Sequence, residues 1–175
     1  MAASVHGGVL RYAVQRGEAV MRAIDLPARL VLATFWSGTS ARTSDLRARV
    51  DALRSRTGDS GILAGLRDVA SEAADAFEES APAFVDRAAA FGRALDALGQ
   101  AADAPIVPPA FAELARIAEV ENAAFLPSGA GGGDVAIWLG VAPPSAAFAR
   151  AAEALAMRPM TLSVDRGGVR PESPS

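Results

Sequence analysis

The stretch Pro127-Ser128-Gly129-Ala130-Gly131-Gly132-Gly133-Asp134 is a glycine-rich loop between two short apolar runs, residues 123–126 and 135–141. Each run has the length and composition of a buried strand, so the loop is predicted to join two strands. Glycine permits positive φ angles and lets a ligand or another backbone approach closely. Successive peptide N–H groups in such a bend can form a concave anion-binding site. The alternative is a flexible hairpin loop that binds nothing.

The loop differs from the two common nucleotide-binding motifs. It lacks the Lys-Ser or Lys-Thr pair that ends a P-loop, and all 17 positive charges of the chain are arginines. It also precedes a predicted strand, whereas the dinucleotide-binding fingerprint precedes a helix. The loop is therefore assigned to neither motif.

Outward from the loop, the hydrophobic pattern predicts a mixture of strands and helices. Strands are predicted at residues 9–14 and 30–36, and the second is a β-branched and aromatic run suited to a buried position. Between them, Gly17-Glu18 and Pro27 are expected to form a turn and a connection. Four helices are predicted to begin at Thr43 or Ser44, at Asp59 or Ser60, at Pro82 and after Pro109.

A final helix is predicted after Ser145, running to about Met157, and a strand at residues 160–164. The order of strand, helices, strand, loop, strand, helix and strand predicts an α+β fold class. We expect an antiparallel sheet packed with helices.

Composition excludes several kinds of site and partner. Hydrophobic residues make up 51% of the 175 and charged residues 21%, the balance of a globular protein. The net charge of −3 argues against a nucleic-acid partner, since such proteins usually carry a basic surplus. With no cysteine and a single histidine, His6, disulfides and thiolate zinc sites are excluded and no metal site is expected. No membrane span or secretory signal is recognised, so a cytoplasmic location without membrane contact is expected.

A second candidate site is Trp36-Ser37-Gly38-Thr39-Ser40-Ala41-Arg42-Thr43-Ser44-Asp45-Leu46, where a strand ends in a hydroxyl-rich turn and a helix begins. Free N–H groups at a helix start favour anions, and Ser40, Arg42 and Thr43 flank them. Arg42 adds a charge-assisted donor. The alternative is an ordinary capped helix.

The loop at residues 127–134 closely resembles the third signature motif of the GHMP kinase superfamily, which comprises galactokinases, homoserine kinases, mevalonate kinases and phosphomevalonate kinases. The version ending in Asp is most similar to that of phosphomevalonate kinases, and residues 36–46 resemble a phosphomevalonate kinase segment, Trp-Thr-Gly-x-x-Ala-Ser-Thr. The resemblance implies the ferredoxin-like C-terminal domain of that superfamily. Two positions depart from its pattern: Leu126 stands where Lys is common, and Val135 where Cys is common.

The resemblance also implies roles for the residues of the loop. It implies that the phosphates and the acceptor are held by Ser128, Gly129, Ala130, Gly131, Gly132 and Gly133. Asp134 is expected either to contact Mg²⁺ or to cap the loop.

The start of the chain, residues 1–8, resembles the superfamily stretch Gly-Ser-Gly-x-Asp-Val-Ala-Ala-Ser-Val-x-Gly-Gly, whose Asp is the catalytic base or electrostatic orienter. Met1 stands where the family has Val, which predicts that a GTG codon was read as a start and that the gene continues upstream. The catalytic Asp would then precede Met1. Residues 1–28 are expected to be the remnant of an N-terminal kinase domain, residues 29–168 the C-terminal domain, and residues 169–175 a disordered tail. His6 is expected either to contact substrate or to be structural.

The function implied by the resemblance is transfer of a phosphoryl group from ATP, with Mg²⁺, to a small phosphorylated molecule. A match to phosphomevalonate kinase implies conversion of 5-phosphomevalonate to 5-diphosphomevalonate in isoprenoid precursor synthesis. The family's Pro-x-x-x-Gly-Leu-Gly-Ser-Ser-Ala phosphate loop is not in these 175 residues, so this chain is expected to be inactive alone. The alternatives are a mevalonate kinase or other superfamily member, and a stand-alone, non-catalytic binding or dimerisation module. A homodimer is also considered.

Overall fold

The computed structural model describes residues 2–40, 42–59 and 61–169, and these contain two sheets and six helices. In chain order the elements are α1 (Ala2–His6), β1 (Val9–Gln15), β2 (Glu18–Ile24), β3 (Val31–Trp36), α2 (Thr43–Thr57), α3 (Ile62–Glu79), α4 (Ala81–Ala102), α5 (Pro109–Val120), β4 (Ala124–Pro127), β5 (Val135–Gly140), α6 (Ala146–Ala154) and β6 (Arg158–Met160).

The larger sheet has four antiparallel strands in the order β4-β5-β3-β6. Phe35 on β3 lies opposite Ala136 on β5 and opposite Pro159 on β6. β5 also pairs with β4, where Trp138 lies opposite Phe125. A strand, helices, two strands, a helix and a strand in this spatial order form the ferredoxin-like arrangement. The predicted α+β class, an antiparallel sheet packed with helices, is confirmed.

One face of this sheet is covered by α5 and α6 through a cluster of aromatic rings. The ring of Phe148 on α6 is fully buried and lies 4.5 Å from the Trp138 ring and 5.4 Å from the Phe125 ring, between centroids. Phe111 on α5 lies 5.9 Å from Phe125, and Phe35 lies 5.6 Å from Phe148. All these rings meet edge to face, the geometry that aromatic quadrupoles favour. This cluster is the main core of the molecule.

The opposite face of the sheet is only partly covered by helices. Because successive strand residues point to opposite faces, Leu126 and Leu139 point away from the aromatic cluster and pack against Val85 of α4. Over β3 the same face carries Leu32 and Thr34, which instead line a groove beside the β1–β2 hairpin. On this face of the sheet, α4 thus covers β4 and β5, while β3 borders an open groove.

The β1–β2 hairpin is attached to α3 through one of its faces. Arg11 donates to Asp75 at 2.5 Å and to Glu78 at 2.7 Å, and Arg22 donates to both carboxylate oxygens of Glu78 at 2.6 Å. The other face, which we call the apolar hairpin face, carries no charged residue among paired positions of the two strands. Its residues are Leu10, Tyr12, Val14, Ala19, Met21 and Ala23.

The hairpin also corrects a prediction. Gly17-Glu18 and Pro27 were expected to form a turn and a connection with no strand between them, but Glu18–Ile24 is a strand paired along its whole length with β1. The turn between the strands is Arg16-Gly17, and both residues have positive φ, +53° and +85°. Two such residues give the turn geometry that matches the twist of paired strands. The short helix α1 was not predicted either.

The segment at residues 161–169 leaves the sheet and runs to the start of the chain. The Gly8 amide donates to the Asp165 carbonyl at 2.6 Å, and the Val169 amide donates to the Val5 carbonyl at 3.2 Å. A Cβ on Gly7 would lie 2.4 Å from the Gly168 nitrogen, so two glycines allow the backbones to cross. The strand predicted at residues 160–164 is therefore wrong in position, because only Arg158–Met160 pairs with β3. Residues 170–175 of the predicted tail lie outside the described residues.

Candidate functional site

The glycine-rich loop, residues 127–134 and hereafter the Gly loop, packs against the turn that follows β3. The Asp134 amide donates to the Thr39 carbonyl at 2.7 Å, and the Ser37 amide donates to the Asp134 carbonyl at 2.9 Å. A Cβ on Gly133 would lie 2.9 Å from the Thr39 Oγ1, so glycine is required for this approach. The two segments predicted as separate anion sites therefore meet.

On its other side the Gly loop contacts Ile106, in the connection between α4 and α5. The Gly132 amide donates to the Ile106 carbonyl at 2.8 Å. Gly131 has a φ of +82°, and a Cβ there would lie 2.3 Å from the same carbonyl oxygen. The Gly loop is thus held between two other segments of backbone, and the interpretation as a freely flexible hairpin loop does not fit these contacts.

Three consecutive amides of the Gly loop remain available. Within the described residues, the N–H groups of Gly129, Ala130 and Gly131 donate to no protein acceptor, whereas those of Ser128, Gly132 and Asp134 are bonded. Adjacent free amides in a glycine-rich bend are suited to surround an anion. Within the described residues the Gly133 amide is also unbonded, so the amides of Ser128, Gly132 and Asp134 are the ones that fix the loop.

The start of α2 offers a second set of donors. The Arg42 carbonyl accepts the amides of Asp45 and Leu46, and no side chain caps the helix. The Thr43 amide is one of the first-turn donors that a helix leaves unsatisfied. In the described part of the chain the Arg42 guanidinium forms no ion pair, and Arg42, Thr43 and Ser40 are exposed. Ala41 lies outside the described residues.

A cleft of about 240 Å³ joins the start of α2 to the Gly loop. Arg42, Asp45 and Arg49 line it together with Gly132. The Arg49 guanidinium donates to the carbonyl and carboxylate of Asp103. The cleft thus places the Arg42 guanidinium, which can bind an anion, beside the Asp45 carboxylate and next to Gly132, whose own amide is bonded to Ile106.

Sequence reasoning missed part of this arrangement. Arg49 was not selected as a candidate from the sequence, but it lines the cleft. Ile106 contributes a backbone carbonyl and Pro105 lines the cleft. Neither contribution leaves a recognisable pattern in the sequence. Thr39 lay within the selected segment, yet its carbonyl proves to be the acceptor that holds Asp134.

His6 and Asp134 occupy different surroundings. His6 lies in the groove beside the β1–β2 hairpin, together with Val9, Ile24 and Leu32. The described residues that line this groove include none of the Gly loop. The Asp134 carboxylate is exposed and forms no hydrogen bond within the described residues, although its backbone bonds to the turn after β3. The structure therefore groups Asp134, and not His6, with the Gly loop.

The described residues contain no cluster of three or more His, Cys, Asp or Glu side chains able to hold a metal ion. Among the helices of the described part, none is long and apolar enough to cross a membrane.

Comparisons with known proteins identify the fold. No family model matches the sequence, and no curated protein matches it. A Lin0012 protein from Listeria innocua superposes with a TM-score of 0.72 at 22% identity, over 85% of this chain and 42% of that chain. The phosphomevalonate kinase of Streptococcus pneumoniae, in complex with phosphomevalonate and AMPPNP, superposes with a TM-score of 0.66 at 16% identity, over 82% and 42%.

The L. major mevalonate kinase in complex with R-mevalonate gives a TM-score of 0.62 at 19% identity, over 86% of this chain and 44% of that chain. The chain thus spans less than half the length of these solved chains. Identities below 25% show shared architecture and not shared activity. The chain has the fold of the GHMP kinase C-terminal domain.

Proposed function

We propose that this chain is the acceptor-binding part of an ATP-dependent kinase that phosphorylates a small phosphorylated molecule, with 5-phosphomevalonate as the acceptor. The observation that carries the proposal is the meeting of the Gly loop with the turn and helix start after β3. These are the two segments whose sequences resemble phosphomevalonate kinases, and the Asp134 and Ser37 amides bond them to each other.

In the proposed reaction an oxygen of the acceptor phosphate bonds to the γ-phosphorus of ATP. The bond from that phosphorus to the β–γ bridging oxygen breaks, so a diphosphate and ADP form. The free amides of Gly129, Ala130 and Gly131 would hold phosphate oxygens, and Arg42 would hold the charged acceptor across the cleft. The residues of this chain therefore bind and orient the acceptor, which is the main protein contribution to phosphoryl transfer.

A bound Mg²⁺ would supply positive charge that neutralises part of the charge of the ATP phosphates. Asp134 is the residue of this chain that we propose to face it, because its carboxylate is exposed beside the free loop amides. One carboxylate is not a metal site by itself, and the described residues hold no ligand cluster. Most oxygen ligands of the ion would thus come from groups other than the described residues of this chain.

The domain organisation is also a proposal. We propose that residues 1–28 belong to a nucleotide-binding domain and residues 29–168 to the acceptor-binding domain. The exposed apolar hairpin face supports this division, since Tyr12 and Val14 are 55% and 63% exposed. A two-stranded hairpin with an uncovered apolar face is marginal alone and is stabilised by further strands. The chain without that domain is proposed to lack kinase activity.

The test is a titration of the ¹⁵N-labelled chain with 5-phosphomevalonate and, separately, with mevalonate. We expect 5-phosphomevalonate to shift the amide resonances of Gly129, Ala130 and Gly131. Arg42→Gln should weaken its binding about tenfold, the loss of one charge-assisted hydrogen bond. Arg47→Gln on the same helix is the matched control, because Arg47 is exposed and pairs with Asp51 at 3.6 Å, and it should change binding less than about twofold.

Two outcomes would favour other functions. Stronger binding of mevalonate than of 5-phosphomevalonate would favour a mevalonate kinase. Binding of neither compound, together with a stable dimer in light scattering, would favour a non-catalytic dimerisation module that uses the apolar hairpin face.

A further inference from the structure

The two sides of the candidate site are not adjacent in sequence, and one short segment contacts both. This connector, residues 103–108, joins α4 to α5. On the α2 side, Arg49 donates to the carbonyl of Asp103. On the other side, the carbonyl of Ile106 accepts the Gly132 amide of the Gly loop. The connector thus touches the helix that presents Arg42 and the loop that presents the free amides.

The connector is itself fixed against α4. Asp103 ends α4 in the left-handed conformation, and the Ala104 amide donates to the Gly99 carbonyl at 2.8 Å. A Cβ on Gly99 would lie 2.7 Å from the Ala104 carbonyl oxygen, so the helix and connector are in close contact. The Ile106 amide then donates to the Ala104 carbonyl at 2.7 Å. These bonds determine where the Ile106 carbonyl points.

The Ile106 side chain fixes the same residue from the core. It is 6% exposed and packs in a cluster with Leu46 and Leu53 of α2 and Leu98 of α4. Leu46 also lines the cleft one turn after Arg42. The Ile106 side chain therefore belongs to the same packed cluster as two residues of α2, while its carbonyl bonds to the Gly loop.

We propose that Ile106 is the positioning residue of the candidate site. It sets the separation between the Gly loop and the start of α2, and with it the affinity for an anion held between the two. The proposal rests on the proposed function for the identity of the anion, but the link from Ile106 to the loop is a property of the fold. Interiors are close-packed, so a shortened Ile106 side chain lets the connector shift and moves the loop that is bonded to it.

The first arm of the test is amide hydrogen exchange in the full 175-residue chain and needs no ligand. Ile106→Ala should accelerate exchange of the Gly132 amide at least tenfold, and Ile106→Val should restore most of the protection. Leu98→Ala is the matched control, because Leu98 is 5% exposed in the same cluster and, among the described residues, its backbone has no hydrogen bond to the Gly loop. It should change Gly132 exchange less than about threefold. Equal acceleration by Ile106→Ala and Leu98→Ala would overturn the proposal.

The second arm is the titration with 5-phosphomevalonate. Ile106→Ala should weaken binding about tenfold, Ile106→Val about twofold or less, and Leu98→Ala about twofold or less. Equal weakening by the two alanine variants would overturn the positioning role. If the wild-type chain binds neither 5-phosphomevalonate nor inorganic pyrophosphate, the proposed function fails, and the exchange arm still decides whether Ile106 holds the loop.

Discussion

The four-stranded sheet and the β1–β2 hairpin are both antiparallel, but they are covered in different ways. The sheet buries Trp138, Phe148 and Phe111 almost completely between strands and helices. The hairpin is attached to α3 by arginine–carboxylate pairs on one face and exposes Tyr12 and Val14 on the other. Buried apolar area, and not strand pairing alone, accounts for most folding free energy. The difference indicates that the sheet is stabilised mainly by its buried core, while the hairpin is attached mainly by ion pairs on one face.

The largest effect is expected in the sheet. Phe148→Ala removes a fully buried ring that contacts Trp138, Phe125 and Phe35 and leaves a cavity. It should lower the free energy of unfolding by about 3–5 kcal/mol, measured by urea denaturation. Tyr12→Ala, which removes an aromatic ring from the hairpin, should cost no more than about 0.5 kcal/mol. Comparable losses of unfolding free energy in the two variants would contradict the view that the sheet core contributes more stability than the exposed hairpin face.

The second effect lies at the loop end of the sheet. Gly131→Ala combines an unfavourable positive φ with a contact 2.3 Å from the Ile106 carbonyl, and should cost about 2–4 kcal/mol. Gly129→Ala carries only the positive-φ strain, because open space surrounds its Cβ position, and should cost about 1–2 kcal/mol. Urea denaturation of both variants measures the difference. An equal loss of stability at the two positions would mean that the loop can move away from the Ile106 carbonyl at little cost.

The third effect concerns association and not stability. The apolar hairpin face should make the chain self-associate as its concentration rises, since contiguous exposed apolar surface favours contact. Replacing Tyr12 and Val14 by serine should reduce the average mass in light scattering. Val120→Ser is the control, because Val120 is 83% exposed at the end of α5, away from the hairpin. A monodisperse monomer for the wild-type chain would instead support a module that is complete by itself.

The smallest effect is the pH response of the hairpin attachment. Hydrogen bonds from Arg22 and then Arg11 hold the pKa of Glu78 below its ordinary value of 4.5. A lowered folded pKa means that the stabilisation is present above about pH 4.5 and is lost as the pH falls through the folded value. Tyr12 is the single tyrosine, so a fluorotyrosine resonance reports on the hairpin alone.

That resonance should broaden or shift below pH 4.5 in the wild-type chain and change much less over that range in Glu78→Gln. Asp68→Asn, on the same helix but away from both arginines, should behave like the wild-type chain. A wild-type response identical to that of Glu78→Gln would show that the ion pairs do not hold the hairpin.

Much of the fold was predictable because its signal is local. The run at residues 30–36, the helix starts and the glycine string each depend on neighbouring residues, and all lie where expected within a few positions. β2 was missed because nearly all of Glu18–Ile24 is exposed, so its pattern shows no buried face. The Arg16-Gly17 pair between two strand-like runs was the available signal for that hairpin.

The site was predictable only where side chains or glycines carry it. The Gly loop and Arg42 were selected from sequence, but their meeting depends on pairing between β3 and β5, which brings residues almost 100 positions apart together. Ile106 contributes a carbonyl, and every residue has one. No side-chain pattern can therefore reveal which carbonyl accepts the Gly132 amide.

The crossing of Gly7 and Gly168 has a consequence for the order of folding. The residues that bond there, Val5 with Val169 and Gly8 with Asp165, stand at opposite ends of the described chain. Each of these bonded pairs is separated by more than 150 positions in the sequence. Contacts of such high sequence separation form late, because the intervening chain must first become compact. The two segments that cross at Gly7 and Gly168 should therefore join only after the sheets and helices between them have formed.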